Sequence, residues 1–160
     1  MAIIQARLRK GNRYNDPKLI VVHAMGEFIK DPDPTHAVQF LKNYGLSAHV
    51  LAASDGDIYI CRDPSQGAYH ARKFNTNSLG IEFLVAGEHN YASFVSTIAE
   101  PDWVSPMQWE SGIEVVRGWM QNYNITEVVK HSDLSPGRKV DPGAGFPWDK
   151  FQKRIHANEP

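Results

Sequence analysis

Residues 128–148 read VVKHSDLSPGRKVDPGAGFPW, and the fold of the whole chain can be argued outward from them. Val128 and Val129 are β-branched and favour extended backbone, so ITEVVKH (residues 125–131) reads as a short buried strand ending on His131. The stretch after it is rich in Ser, Pro and Gly and presents Arg138, Lys139 and Asp141 before a second Pro-Gly break. Such a loop concentrates charge where the backbone must turn tightly, which marks a site more than a connector. One histidine and one aspartate in a loop are ordinary surface residues by themselves, so any chemistry needs partners from elsewhere in the chain.

The first partner is in KLIVVH (residues 18–23), where four consecutive apolar residues suggest a strand buried on both faces and His23 stands where it ends. Two buried strands that both finish in histidine, separated by helical segments, are expected to run parallel. They would deliver His23 and His131 to the same carboxyl edge of an open α/β sheet, where sites lie. The helical segments carry their own punctuation. Asp33 is an N-cap candidate, Pro34 sits in the first turn and Gly45 is a stop, with Ala37, Phe40, Leu41 and Tyr44 on one face and His36 on the surface. Ser105-Pro106-Met107-Gln108 opens a second helix as a capping box, and Trp109, Ile113, Val116 and Met120 carry it to about Tyr123, against the irregularity that Gly112 and Gly118 would introduce. Pro147-Trp148-Asp149 starts a last helix bearing Phe151 and Ile155, followed by a loose tail.

Between these elements, SAHVLAASDGDIYICRD places two apolar runs around Asp55-Gly56, a hairpin signal, with His49 near its start and Cys61 near its end. GAYHA puts His70 on a loop. NSLGIEFLV is then another strand, in which Ile81, Phe83 and Val85 face one side and Glu82 and Leu84 the other. A buried ionised glutamate costs several kcal/mol unless it is paired or protonated, so Glu82 either faces water on an edge strand or has a partner. Residues 86–104 read as an irregular insertion.

At 160 residues the chain suits a single α/β domain, 1–160 with its core at about 18–156, large enough to fold without disulfides. Cys61, the lone cysteine, excludes an internal disulfide and a thiolate-rich zinc site, so a metal would need His, Asp or Glu. With 17 basic and 18 acidic residues there is no global field to draw the protein to nucleic acid or to an anionic membrane. The opening MAIIQARLRKGNRY has an apolar patch followed by basic residues, the reverse of a signal peptide. The expectation is a soluble, cytoplasmic, monomeric protein at synthesis.

His23 and His131 at one sheet edge, with Asp141 on the following loop, make a three-ligand zinc set that leaves a fourth position for water. Such an ion brings the pKa of water toward about 7 and polarises a substrate carbonyl. Glu82, partly desolvated nearby, would then take a proton and pass it to a leaving amine, and Lys139 would stabilise an oxyanion. A rival chemistry, a cysteine hydrolase of Cys61 with His70, is disfavoured because Cys61 falls late in a strand and not at a helix N-terminus.

VVHAM at His23, LSAHVL with the DGDIY hairpin, AYHA at His70, SLGIEF at Glu82 and above all KHSDLSPGRKVDPG resemble the type 2 family of zinc-dependent N-acetylmuramoyl-L-alanine amidases, from about Ile20 to Phe151. The family takes in the AmpD branch, a phage-lysozyme type of endolysin and the fold of the peptidoglycan recognition proteins. The resemblance implies a mixed central sheet of about five or six strands flanked by helices, with a zinc groove at one sheet edge. It implies one Zn2+ on His23, His131 and Asp141, and Glu82 and Lys139 as catalytic residues. The implied reaction is hydrolysis of the amide between N-acetylmuramic acid and L-alanine of the stem peptide. On the same ground the resemblance implies that His49 and His70 stand behind the metal ligands or touch the substrate. The phage-lysozyme type has Cys as third ligand and Tyr where this chain has Ala48, so the AmpD-like pattern is the one followed. Gly87–Pro101 and the segment after His23 depart from the family, and these would shape access to peptidoglycan or a muropeptide. The compact chain favours an endolysin released through a holin. A cytosolic recycling amidase and a non-catalytic peptidoglycan-binding module are the alternatives.

Overall fold

A run of apolar, β-branched residues is worth burying on both faces, and Leu19–Gly26 does this at the heart of the sheet, with Ile20, Val21 and Val22 each 0% exposed. The computed structural model describes residues 1–26 and 33–158. These carry six strands, β1 (Ile3–Gln5), β2 (Leu19–Gly26), β3 (Val50–Ala52), β4 (Ile58–Ile60), β5 (Ser78–Val85) and β6 (Glu127–Lys130). They also carry five helices, α1 (Pro34–Asn43), α2 (Tyr91–Ala99), α3 (Pro106–Asn122), α4 (His131–Leu134) and α5 (Trp148–Ile155). The strands form one mixed sheet in the order β1-β4-β3-β5-β2-β6, parallel except for the β3–β4 hairpin. Among the described residues no helix is long and apolar enough to cross a membrane.

Because side chains alternate along a strand, each face of the sheet collects its own set. Ile20, Val22, Ile81 and Phe83 pack on Trp109, Ile113, Val116 and Trp119 of α3 and on Phe151 and Ile155 of α5. On the opposite face Met25, Leu51, Tyr59 and Leu84 pack on Ala37 and Leu41 of α1. His23 and Glu82 belong to this second face, so the sheet's alternation aims both toward the α1 side.

Local signals explain the helix boundaries. Asp33 Oδ1 accepts from Thr35 N at 2.9 Å to cap α1, whose residue His36 is exposed. Ser105 and Gln108 exchange capping-box hydrogen bonds at the start of α3. Gln108 also donates to the carbonyls of Ala52 and Leu84, both at 2.8 Å, and so ties the helix to β3 and β5. Gly112 does not break α3. It admits the Phe83 ring, since a Cβ there would lie 2.4 Å from Phe83 Cζ.

Three features differ from the sequence reading. The stretch taken as irregular contains α2, capped by Asn90 and Ser93 and buried through Phe94 and Ile98 against Ala24 and Val85. Only two buried residues four apart, among β-branched neighbours, leave little helical period to detect. β1 is an added edge strand, too short for alternation to register. β2 also continues to Gly26, past His23, with β5 paired along it to the end. Residues 27–32 of the segment after His23, and tail residues 159–160, lie outside the described residues.

Candidate metal centre and active groove

β6 pairs with β2 only as far as Val22–Lys130, and the chain then turns into α4 at His131. Beyond that point β2 has lost its neighbour, and the vacated place is filled by His131 standing beside His23. Their Nδ1 atoms are 3.0 Å apart. The loop after α4 returns Asp141, whose Oδ2 is 3.2 Å from each of those nitrogens. Its carboxylate also accepts from Ala24 N at 3.3 Å, and Ser132 N donates to its main-chain carbonyl at 3.0 Å. All three side chains are buried.

The electrostatics suit a cation. Burial by itself would raise the Asp141 carboxyl, but the His131 and His23 imidazoles that face it outweigh burial and hold the group below the ordinary carboxylate range. Burial pushes His23 down despite the nearby Asp141 carboxylate, so its ring is kept neutral, the form that ligates. A tetrahedral zinc about 2.0–2.1 Å from N and O donors separates them by about 3.3 Å. The observed 3.0 and 3.2 Å spacings fit that geometry. Two imidazoles and a carboxylate are also a donor set suited to zinc.

Glu82 resolves in favour of a partner. β5 lies between β3 and β2, and Glu82 is 8% exposed, directly across from His23 in the strand register. Its Oε1 is 3.7 Å from His23 Nδ1. Burial, then the adjacent Asp141 charge, push its carboxyl well above the ordinary range, and Lys139 opposes them. Lys139 itself is exposed on the rim of the groove that opens over these groups. The groove has a volume of about 480 Å³, and Met25, Phe40, Leu46, Tyr69, Arg72 and Tyr91 lie along it. An open, partly apolar and aromatic trough suits an extended substrate.

The two further histidines part company. His70 reaches the groove and approaches His23, with its Nδ1 2.9 Å from His23 Nε2. His49 does not reach it. It is 0% exposed, its Nδ1 accepts from Gly80 N at 3.0 Å, and its Nε2 donates to Gln66 O at 2.7 Å. The expectation of a substrate contact at His49 is thereby corrected: both ring nitrogens are spent on backbone groups that would otherwise be buried unpaired.

Burial lowers His49 from an ordinary 6.5 to about 4. The unfolded chain then binds more protons than the folded one between those values, so stability is full above about pH 6.5 and falls as pH drops toward 4. Over that window the loss is on the order of 3 kcal/mol. Urea unfolding of the chelated protein at pH 7.5 and pH 4.5 is expected to show it, with the His49 ring neutral at pH 5 by NMR. A His49 that titrates near 6.5 in the folded protein would contradict this account.

Cys61 is 2% exposed and burial pushes its thiol up to about 12, so it stays protonated as a small packed hydrophobe. Cys61→Ala is expected to leave turnover unchanged. Loss of turnover in a folded Cys61→Ala protein would revive the cysteine chemistry.

Two buried imidazoles and a carboxylate around one point, with a raised carboxyl beside them on an open groove, define the site of a metallohydrolase. The model of the N-acetylmuramoyl-L-alanine amidase family matches residues 13–144, and the chain belongs to that family, type 2. It is thus an amidase of peptidoglycan, in a family that is zinc-dependent in general. Among its relatives, the 1,6-anhydro-N-acetylmuramyl-L-alanine amidase AmpD of Enterobacter cloacae is 26% identical, with 87% of this chain and 81% of AmpD aligned. The N-acetylmuramoyl-L-alanine amidase LysC from Clostridium intestinale URNW superposes with a TM-score of 0.76 at 25% identity, covering 99% of both chains. The endolysin amidase LysCS from the same organism gives 0.76 and 25%, covering 98% of this chain and 96% of its own.

Proposed function

We propose that this protein is a lytic amidase that uses zinc held by His23, His131 and Asp141 to cut the bond between N-acetylmuramic acid and L-alanine in cell-wall peptidoglycan. The observation that carries the reading is the convergence of three buried donor atoms within 3.2 Å of one another, with Glu82 Oε1 3.7 Å from one of them. The metal, when bound, supplies a Lewis acid that polarises the scissile carbonyl and acidifies water. Glu82, held in a dry position where a proton is readily kept or given, takes the proton of the attacking water and returns it to the nitrogen of the leaving L-alanine. Lys139, on the exposed rim, brings its ammonium to the negative charge that develops on the lactyl carbonyl oxygen. The aromatic and apolar walls hold the sugar and peptide in place and exclude bulk water.

The lytic reading draws on the near end-to-end correspondence with LysC and LysCS. Synthesis in the cytoplasm as a monomer, with holin-type release to the wall, belongs to the same proposal. A second reading, recycling of soluble anhydromuropeptides, is favoured by the AmpD relatives. The two separate when purified sacculi and a soluble anhydromuropeptide are offered in parallel, with and without chelator and with zinc restored. Stem peptide released from sacculi, abolished by chelator and recovered with zinc, is the expected result. Cleavage of the soluble muropeptide alone would replace the lytic reading with recycling. Zinc binding with no cleavage of either would leave a binding module.

A further inference from the structure

His70 lies against Gly80 of β5 so closely that a Cβ there would be 2.5 Å from its Nδ1 and 2.7 Å from its Cγ. Any larger residue would displace the ring. Its main chain is held as well, since the amides of His70 and Ala71 donate to Asn75 Oδ1 at 3.1 and 3.0 Å. Both ring nitrogens are engaged, Nε2 with Ser78 Oγ at 2.9 Å and Nδ1 with His23 Nε2 at 2.9 Å.

The direction of these bonds follows from the far end. Ser78 Oγ lies 2.6 Å from the carbonyl of Phe74, which can only accept, so the single hydroxyl proton is committed there. Ser78 Oγ must therefore accept from His70 Nε2–H. A neutral imidazole carries one N–H, so His70 Nδ1 is a bare lone pair and accepts from His23 Nε2–H. His23 Nδ1 is then left unprotonated, and it is the atom 3.0 Å from His131 Nδ1 and 3.2 Å from Asp141 Oδ2. Ser78, Gly80 and Glu82 stand at alternate positions of β5, so one face of one strand carries the anchor, the space and the buried carboxyl.

We propose that His70 is a positioning residue, which through Ser78 and the Phe74 carbonyl fixes the ring orientation and tautomer of His23 and so aims its Nδ1 lone pair at the metal centre. This rests on the reading of His23 as a zinc ligand. Hydrogen-bonded partners behind metal-ligating histidines are worth about 10–100-fold in metal affinity.

The test uses the full chain with 15N-labelled imidazoles. In the metal-free protein, NMR is expected to show His70 and His23 both as Nε2–H tautomers; His70 as the Nδ1–H form would overturn the proposal. Zinc affinity, read by chelator competition, supplies the second measurement. In His70→Asn the amide oxygen takes the place of Nδ1, so affinity is expected within a few-fold of wild type. His70→Gln places its amide at the Nε2 position only, and it should weaken zinc by about 10–100-fold together with His70→Phe. A packing role would rank Phe best, and His70→Phe binding zinc like wild type would sink the idea. Ser78→Ala, a smaller change, is expected to weaken zinc by about 10-fold. It serves where a His70 variant fails to fold, and unaltered affinity in it would count equally against the proposal. Wild-type protein that binds no zinc would overturn the metal-centre reading itself, while the metal-free tautomers report on the hydrogen-bond chain independently.

Discussion

Glu82→Gln is expected to keep a full equivalent of zinc and to lose about 10²–10⁴-fold in turnover, the range associated with a positioned general acid–base group. The two effects separate because Glu82 stands beside the donor cluster without joining it: its Oε1 is 3.7 Å from His23 Nδ1, whereas the cluster's own contacts are 3.0 and 3.2 Å. Glutamine preserves the volume of a side chain that is 8% exposed, so the fold should persist. It cannot take up a proton from water and release it to an amine. The measurement is metal content by elemental analysis beside initial rates of stem-peptide release. Turnover within ten-fold of wild type at full zinc occupancy would remove Glu82 from the chemistry. Loss of zinc along with activity would make it a ligand instead.

Asp141→Ala is expected to fail at the earlier step. Removing the carboxylate takes away the one negative charge that faces both Nδ1 atoms at 3.2 Å, and leaves two imidazole nitrogens 3.0 Å apart with nothing to share. Zinc affinity should fall by more than about 100-fold, beyond what is lost with an outer hydrogen-bonding partner. Zinc at about 1,000 times its Kd stabilises a folded binder by about 4 kcal/mol, so wild type should melt higher with zinc and Asp141→Ala should not. Asp141→Asn provides the version least disruptive to packing. Equal zinc content in wild type and both Asp141 variants would strike Asp141 from the ligand set.

Much of this architecture could be read from local pattern. The buried strand at Leu19, the hairpin around Asp55-Gly56, the capped helices at Asp33 and Ser105 and the last helix all rest on signals a few residues long. α2 was hidden because its burial comes from only Phe94 and Ile98, and β1 because three residues show no period. The two loop histidines show the limit more sharply. His49 and His70 sit in similar short sequence settings, yet one is consumed by the Gly80 amide and the Gln66 carbonyl and the other lies at the groove. Nothing within a few residues of either distinguishes them, because both environments are built by β5 and distant loops.

The amino-acid sequence alone determined the α/β class, the pairing of two histidine-bearing strands and the donor types available to a metal, since residue identity and spacing carry chemistry and periodicity directly. Tertiary structure decided the rest. The early end of β6 makes room for His131 beside His23, the central place of β5 turns Glu82 from a residue that could face water into a buried carboxyl, and Gly80 lets the His70 ring settle on the strand. Each depends on which strands are neighbours and where their pairing stops, and that is set by contacts between residues far apart in the chain.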